Sequence, residues 1–474
     1  MLHKNLSMTT KKLSKNLTGY WKDHGFFFPS AEIYGGLANA WDIGPHGAEL
    51  KKKLKECWWR YFITSEALNI GYDGLILTHP KVLEASGHLK NFHDWLVECN
   101  GCQKRHRLDN LLTEGEFVTF LSCLNKDEFI VDEVCPDCKK KELGVPRKFN
   151  LLFNIDLQKT QKKNNKNIAC LRPETCQGIF ANFTAIQRST RKKLPFGVGQ
   201  IGKSFRNEIT PQHGIFRGLE FEQLELEFFC LAEEIEKWWN YLNQRAWQFL
   251  SKIIGNQQMI KQKILIKDEL PHYARKTTDL YFEYHFGEGE VCSISDRGGY
   301  DIANHQQKSG KNFSMEGQNP QVIEVAEISF GVERLMLAIL ESSYHQEDKK
   351  EDSKEIKSTR QVLKIFPLLA PYFLAVFPLS KQLNEKSYQV YLDLLPQAFF
   401  TVTYEKTGNI GKRYHRQDAI GTYYCLTVDF QTLKDNTATI RQRDSREQRR
   451  VDLTNLANLL NQEYHNYYRE FLEK

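Results

Sequence analysis

Three groups of residues in this sequence have types and spacing suited to chemistry. The first lies between Gly197 and Cys230, GVGQIGKSFRNEITPQHGIFRGLEFEQLELEFFC. A strand-like segment from Gly197 to Phe205 ends in Arg206, Asn207 and Glu208, and Thr210-Pro211-Gln212-His213-Gly214 makes a breaker-rich turn. A second segment alternates from Phe221 to Phe228. With a period of two, Phe221, Gln223, Glu225 and Glu227 share one face, and Glu222, Leu224, Leu226 and Phe228 share the other. Such a ribbon sets Arg206 and Arg217 beside a ladder of carboxylates. A guanidinium fork suits phosphate oxygens, and carboxylates suit an ammonium group or a magnesium ion. The ribbon therefore has the chemistry of a pocket for a triphosphate and an amine-bearing substrate, although an exposed, charged hairpin would alternate in the same way.

The second group is Cys99-Asn-Gly-Cys102 and Cys135-Pro-Asp-Cys138, with 32 residues between the pairs. Two such knuckles read as a structural zinc site, because four thiolates complete a tetrahedron and leave no open position for catalysis. Reduced, unliganded cysteines are the alternative, and Cys123 is a spare. The third group centres on Arg334. A helix is predicted from Gly331 to Leu340, with Val332, Leu335, Met336, Ile339 and Leu340 as its apolar stripe. Arg334 projects from a different face, and Gly331 permits close backbone approach one turn earlier, which favours a phosphate over plain solvent.

These groups need elements to hold them. The apolar positions Leu50, Leu54, Cys57, Trp58, Tyr61, Phe62 and Ser65 predict a helix from Leu50 to Ala67, with Pro45 suited to its first turn. A short strand, Gly74 to Thr78, follows. Glu174 in Leu171-Arg172-Pro173-Glu174-Thr175 could cap a helix beginning there. Glu233 to Ile254 reads as a core helix, and Thr278–Tyr284 and Gly289–Ser295 as strands, with Glu290 and Val291 on the latter. Lys159 to Lys166 is a polar loop. Tyr344 to Thr359, rich in charge and without core periodicity, is a loop or linker. Beyond Val362 strands and helices alternate, and Gly408–Arg416 and Thr439–Asp444 interleave basic with aromatic or apolar residues, a composition suited to splayed single-stranded RNA bases.

The chain of 474 residues is long enough for two or three domains. Its net charge of +6 allows a nucleic-acid partner without requiring one. No apolar run is long enough to span a membrane, and the first residues, MLHKNLSMTTKKLSKN, lack the apolar core of a signal peptide. Eleven cysteines, an odd number, fit a reducing cytoplasm better than a disulfide framework.

The string FRNE, a short loop, then FRGLEFEQLELEFF resembles motif 2 of the class II aminoacyl-tRNA synthetases in the form carried by bacterial-type, homodimeric glycyl-tRNA synthetases. Arg172-Pro-Glu-Thr-Cys-Gln-Gly-Ile-Phe180, Pro80 to His88, and Glu324 to Leu335 (similar to motif 3) resemble the same family. So does the long helix followed by a strand ending in Pro80, which is similar to the dimer-forming motif 1. The resemblance covers nearly the whole chain. It implies an α+β fold, an antiparallel catalytic sheet flanked by helices, followed by a C-terminal α/β anticodon-binding domain. The implied division is 1–95 with motif 1, 96–150 as the knuckle insertion, 151–343 with motifs 2 and 3, 344–360 as linker and 361–474 for the anticodon.

The activity it implies is ATP-dependent attachment of glycine to tRNA(Gly) through glycyl-adenylate, releasing AMP and pyrophosphate. Arg206, Glu208 and Arg334 would be catalytic, with Arg206 on the α-phosphate and Arg334 on the γ-phosphate. ATP would further meet Asn207, Phe216, Arg217, Gly218, Leu219, Glu220, Phe221 (stacked on adenine), Glu290, Val291, Gly331, Val332 and Glu333, with Mg2+ on Glu290. Glycine would meet Arg107, Glu174, Phe221, Glu222, Gln223, Leu224, Glu225, Glu327, Ile328, Ser329, Phe330 and Gly331. Two positions depart from the family: Leu219 stands where it usually has arginine, and Ile328 where it usually has proline. An inactive tRNA-binding protein and a structural RNA-binding protein are the readings of other classes; Arg206, Glu208 and Arg334 speak against the first, and the uninterrupted motif 2 against the second.

Overall fold

A computed structural model describes residues 17–37, 40–123, 129–157, 168–208, 213–313, 323–348 and 359–473. The polar loop at 159–166, most of the turn at 210–214 and the middle of the charged stretch at 349–358 lie outside the described residues. The centre is a seven-stranded sheet of β1 (Asn69–Gly71), β2 (Phe196–Phe205), β3 (Glu220–Leu231), β4 (Ile260–Ile264), β5 (Lys276–Tyr284), β6 (Gly287–Gly298) and β7 (Ile323–Gly331). Its spatial order is β4-β5-β6-β7-β3-β2-β1, antiparallel except where β1 joins β2. One face is covered by α1 (Pro45–Trp59), α2 (Ile235–Ile253) and α3 (Val332–Ser343). Leu50, Leu54 and Trp58 of α1, Phe249 of α2 and Leu335 of α3 pack there on Leu224, Leu226, Phe228, Ile328 and Phe330. At one end of the opposite face Phe196, Val198, Phe229, Ile323 and Val325 pack on Phe180, Phe183 and Ile302. Nearly all of β3 is buried, so the exposed hairpin is excluded.

Several elements differ from the sequence reading. The first long helix begins at Pro45, and its α portion ends at Trp59 with one wide turn, Arg60–Thr64; Ser65, counted into the stripe, caps it and donates its hydroxyl to Tyr61 O at 3.0 Å. Of Gly74–Thr78 only Leu77–Thr78 pairs, with Ile168–Leu171. The carbonyls before it are claimed instead by Arg172, whose Nη1 donates to Gly74 O at 2.8 Å and whose N donates to Ile76 O at 3.1 Å. Arg172 crosses so close to β2 that a Cβ at Gly202 would stand 2.0 Å from Nη2, a contact only glycine allows. Glu174 caps no helix, since the next one starts at Gln177 with Cys176 as its N-cap residue. The charged stretch read as a linker contains a strand, Tyr344–Asp348, antiparallel to Thr359–Leu363.

The C-terminal part is a five-stranded sheet, β8 (Leu374–Pro378), β9 (Val402–Tyr404), β10 (Tyr424–Val428), β11 (Thr437–Gln442) and β12 (Gln448–Asp452), in the order β9-β8-β10-β11-β12. Its basic motifs are partly interior. Arg413, Arg441 and Arg443 are buried, and Arg443 donates to Ile365 O at 2.8 Å and Gly421 O at 2.9 Å, so these arginines hold the domain together; Lys412, His415 and Arg416 are exposed. Arg360 and Arg441 both close on Asp418, at 2.7 Å and 3.1 Å. Buried Lys53 of α1 reaches this part, donating to Thr401 Oγ1 at 2.6 Å, to Pro371 O at 3.2 Å and to Ala370 O.

Candidate active site

Register decides which side chains meet. On β3 and β7, Glu225 stands opposite Ser329 and Glu227 opposite Glu327. The rows extend outward: Gln200 pairs with Glu225 and Ser293 with Ser329, while Ser295 pairs with Glu327. Period-two alternation therefore gathers Gln223, Glu225, Glu227, Glu327 and Ser329 on the face away from the helices. The same alternation sends Leu224, Ile328 and Phe330, read as glycine contacts, into the apolar core, where Val291 and Val332, read as ATP contacts, also lie. Glu222 also faces the helix side, where Lys51 and Lys55 of α1 hold it at 2.9 Å each. Glu333 joins that cluster, 2.7 Å from Lys51 and accepting from Glu222 N at 2.9 Å.

The polar face carries a crowd of buried carboxylates. Glu225 accepts from Ser329 Oγ at 3.0 Å, from Gln223 Nε2 at 2.7 Å and from the Thr175 hydroxyl. Glu174 accepts from Gln177 Nε2 and Cys176 Sγ, each at 3.0 Å, and lies 3.4 Å from His88 Nε2. Glu327 is bound by Arg297 Nη1 at 2.7 Å, and Arg297 also clamps Asp301 at 2.7 Å. Ligand atoms of Cys176, Glu225 and Glu327 all lie within 4.8 Å of one another. Burial, then the charges of Glu327 and Glu174, push the Glu225 carboxyl up to about 8. Burial acts on Glu174 as well, but His88 and Arg297 outweigh it and hold that carboxyl well below the ordinary range. So small a space with more carboxyls than cations is suited to a compact cation. Arg297, Asp301, Thr175 and His88 were not read as site residues from sequence.

A second polar region adjoins through Gln223 and Ser329. A cavity of about 120 Å³ there is lined by Arg206, Glu208, Phe216, Arg217, Gly331 and Arg334, among others. The Arg206 guanidinium sits between the rings of Phe92 and Phe221, at 5.5 Å and 5.2 Å, and Nε donates to Pro173 O at 3.1 Å. Glu208 holds Arg217 at 3.3 Å. Arg334 lies 4.6 Å from the Phe216 ring centre and bonds Glu290 Oε1 at 3.0 Å. Glu290 reaches this face because a bulge in β6, opposite Leu280 and Tyr281, shifts the alternation by one residue and turns Val291 into the core. Asp279 lies nearby, its carboxyl pushed up to about 6 by burial and by Glu290. Gly218 borders the same cavity, whereas Asn207 and Leu219 engage through backbone: Asn207 N donates to Leu151 O, and Leu219 O accepts from Arg206 N at 3.0 Å. Glu220 pairs with Lys203 at the surface. Arg107 is held by Asp94 at 3.1 Å and Asp109 at 2.6 Å and is further stabilised by Glu208; among the described residues it makes no contact with Glu174, Glu225 or Glu327.

The knuckles form their own small unit on the strands His93–Glu98, Arg105–Arg107 and Arg147–Asn150, over Val97, Leu108 and Phe120. The sulfurs of Cys99, Cys102, Cys135 and Cys138 lie within 4.8 Å of one another, with Cys99–Cys138 and Cys102–Cys135 at 3.6 Å. Four sulfurs bound to one zinc at 2.3 Å would stand roughly 3.8 Å apart, so this donor set could hold such an ion. Cys123 is spent elsewhere, on Thr119 O.

The comparisons with known proteins agree with this arrangement. The family model for the class II tRNA synthetase core domain (G, H, P, S and T) matches residues 158–343, and that for an anticodon-binding domain matches 374–463. The glycine–tRNA ligase of Mycoplasma capricolum subsp. capricolum is 45% identical over 96% of this chain and 99% of that protein. That of Geobacillus thermodenitrificans is 42% identical over 93% and 96%. A solved prolyl-tRNA synthetase from Cryptosporidium parvum, complexed with halofuginone and AMPPNP, superposes with a TM-score of 0.59 at 13% identity, covering 96% of this chain and 78% of that one, which speaks to the fold alone. By identity over nearly its whole length, this chain belongs to the glycine–tRNA ligases, the bacterial-type glycyl-tRNA synthetases of class II.

Proposed function

We propose that the chain charges tRNA(Gly) in two steps through glycyl-adenylate, with the buried carboxylates as the seat of the substrate's ammonium. The observation that carries this reading is the surplus of carboxyls: of Glu174, Glu225 and Glu327, only Glu327 is bonded by a guanidinium among the described residues, that of Arg297, and Arg172 is the other buried guanidinium acting on the group. The amino acid's carboxylate then points toward Arg206. It attacks the α-phosphorus, the bond to the β-phosphate oxygen breaks, and pyrophosphate leaves. A carboxylate is already a nucleophile, so this step needs no general base and rests on positioning and charge neutralisation. Arg206 would take the α-phosphate, Arg334 the γ-phosphate, and Phe221 the adenine face. In the second step the 3′-terminal hydroxyl of tRNA takes the glycyl group and AMP leaves.

Glu290, with Asp279 beside it, would hold Mg2+, which neutralises phosphate charge when bound. Arg334 now occupies Glu290, so nucleotide entry exchanges one charge partner for another. The four knuckle cysteines would carry a structural zinc ion. Eleven unbridged cysteines suit a reducing cytoplasm, and the resemblance to motif 1 supports a homodimer.

The deciding experiment is ATP–pyrophosphate exchange with each standard amino acid in turn. Glycine alone should support it; alanine activated as readily as glycine would overturn the pocket assignment. Elemental analysis should find about one zinc per chain, lost in Cys135→Ser. A stoichiometry near zero would leave the cysteines unliganded.

A further inference from the structure

Glu227 is wholly buried on β3, directly across from Glu327 on β7, and the pocket described above has no use for it. Cross-strand partners of this kind bring their side chains into contact, and the two carboxyls are within hydrogen-bond reach of each other. Neither Glu227 oxygen meets an N–H or O–H donor among the described residues. The charged groups that face it are Glu225 from its own strand, Glu327 from β7 and Arg297 from β6. That one guanidinium is already shared between Glu327 and Asp301. Two like carboxylates in contact, with no donor left for one of them, cannot both ionise in a dry interior.

We propose that Glu227 is a positioning residue of the ammonium pocket, one that carries a proton, donates it in a hydrogen bond to Glu327, and so fixes the carboxylate that receives the substrate. Arg297 holds one oxygen of Glu327 at 2.7 Å, and Glu227 grips the same carboxylate from the neighbouring strand. A neutral Glu227 also keeps the negative charge of the pocket on the groups that can reach the ammonium. Burial and the charge of Glu327 both raise the Glu227 carboxyl well above its ordinary range, in keeping with this geometry. The inference rests on reading Glu174, Glu225 and Glu327 as the ammonium site.

The test uses the full chain and two variants. Glu227→Gln mimics the protonated carboxyl, since its amide can still donate to Glu327; Glu227→Ala cannot. In glycine-dependent pyrophosphate exchange, Glu227→Gln should keep the KM for glycine near the unmutated value. Glu227→Ala should raise it about tenfold, the weight of one hydrogen bond to a charged group, with the KM for ATP unmoved. Infrared difference spectra of wild type against Glu227→Gln, taken at neutral pH, should show the carbonyl stretch of a protonated carboxyl in the wild type. Absence of that band overturns the proposal, as does a Glu227→Gln variant as impaired for glycine as Glu227→Ala. Should Glu327→Gln leave the KM for glycine unchanged, the pocket reading falls and the positioning role with it, while the band alone still decides whether Glu227 holds its proton.

Discussion

The chain buries charge in two places, and they are composed in opposite ways. In the C-terminal part Asp418 is gripped by Arg360 at 2.7 Å and Arg441 at 3.1 Å, and Arg360 is further held by Glu347 at 2.7 Å and Arg443 O at 2.8 Å. Positive and negative groups balance there, and backbone carbonyls take the remaining donors. In the catalytic sheet Glu174, Glu225, Glu227, Glu327 and Asp301 outnumber the buried guanidiniums of Arg297, which binds Glu327 and Asp301, and of Arg172, which acts on Glu225; His88 stands beside Glu174. A balanced cluster is complete and serves the fold. An unbalanced one is poised for a cation that the protein does not itself supply, and it tolerates the imbalance by keeping protons where charges would otherwise stand.

Removing Asp418 should break the contrast most visibly. Asp418→Ala leaves two guanidinium groups without their shared anion, and should cost about 3–5 kcal/mol of stability in denaturant titration, with the KM for glycine unchanged. A loss below about 1 kcal/mol, the range of surface pairs, would place the cluster outside the stability of the fold. The next largest effect should come from Arg206, whose guanidinium has a single backbone acceptor among the described residues where Arg441 has a carboxylate. Arg206→Ala should leave stability intact and lower adenylate formation roughly 100- to 1000-fold, or ~3–4 kcal/mol; near-normal pyrophosphate exchange would remove Arg206 from the chemistry.

The smallest effect is a pH profile. With the Glu225 carboxyl pushed up to about 8 by burial, Glu327 and Glu174, glycine binding below that pH must expel a proton that the ammonium replaces. The KM for glycine should therefore fall as pH rises, by up to about tenfold per unit, and level off above the Glu225 value. The same shift makes the ligand-free protein less stable across that window as pH rises, because the folded state holds the proton more tightly than the unfolded chain. A KM independent of pH between about 6.5 and 8 would show that Glu225 is already ionised.

Sequence patterns exposed one part of this site and hid another. Glu225 was legible from strand alternation and the motif string together, Glu327 and Ser329 from the motif string alone. The contiguous lists around them overreached, since a string match carries no sense of face; Leu224, Ile328 and Phe330 lie in the core, and Glu222 belongs to the lysines of α1. Arg297 was missed for a different reason. It sits at a register shift between Asp296 and Gly298, and the residue that a bulge re-aims cannot be read from a period of two. The arginines at 413, 441 and 443 looked like an RNA-binding surface because composition does not report burial. The α+β architecture, by contrast, followed from the resemblance of the motif strings to the class II synthetases, and the class II core and anticodon-binding matches bear it out.

Three of the four lysines of α1 have one more implication. Lys51 and Lys55 face the catalytic sheet through Glu222 and Glu333, while Lys53, between them, turns the other way and spends its ammonium on Ala370, Pro371 and Thr401. Swinging the C-terminal part from Ala370 onward away from the sheet would strip a buried cation of its acceptors, a costly step. The helix thus acts as an axle seated in two bearings. One end of its lysine cluster is fixed in the C-terminal part, and the other is fixed to Glu333, the neighbour of Arg334.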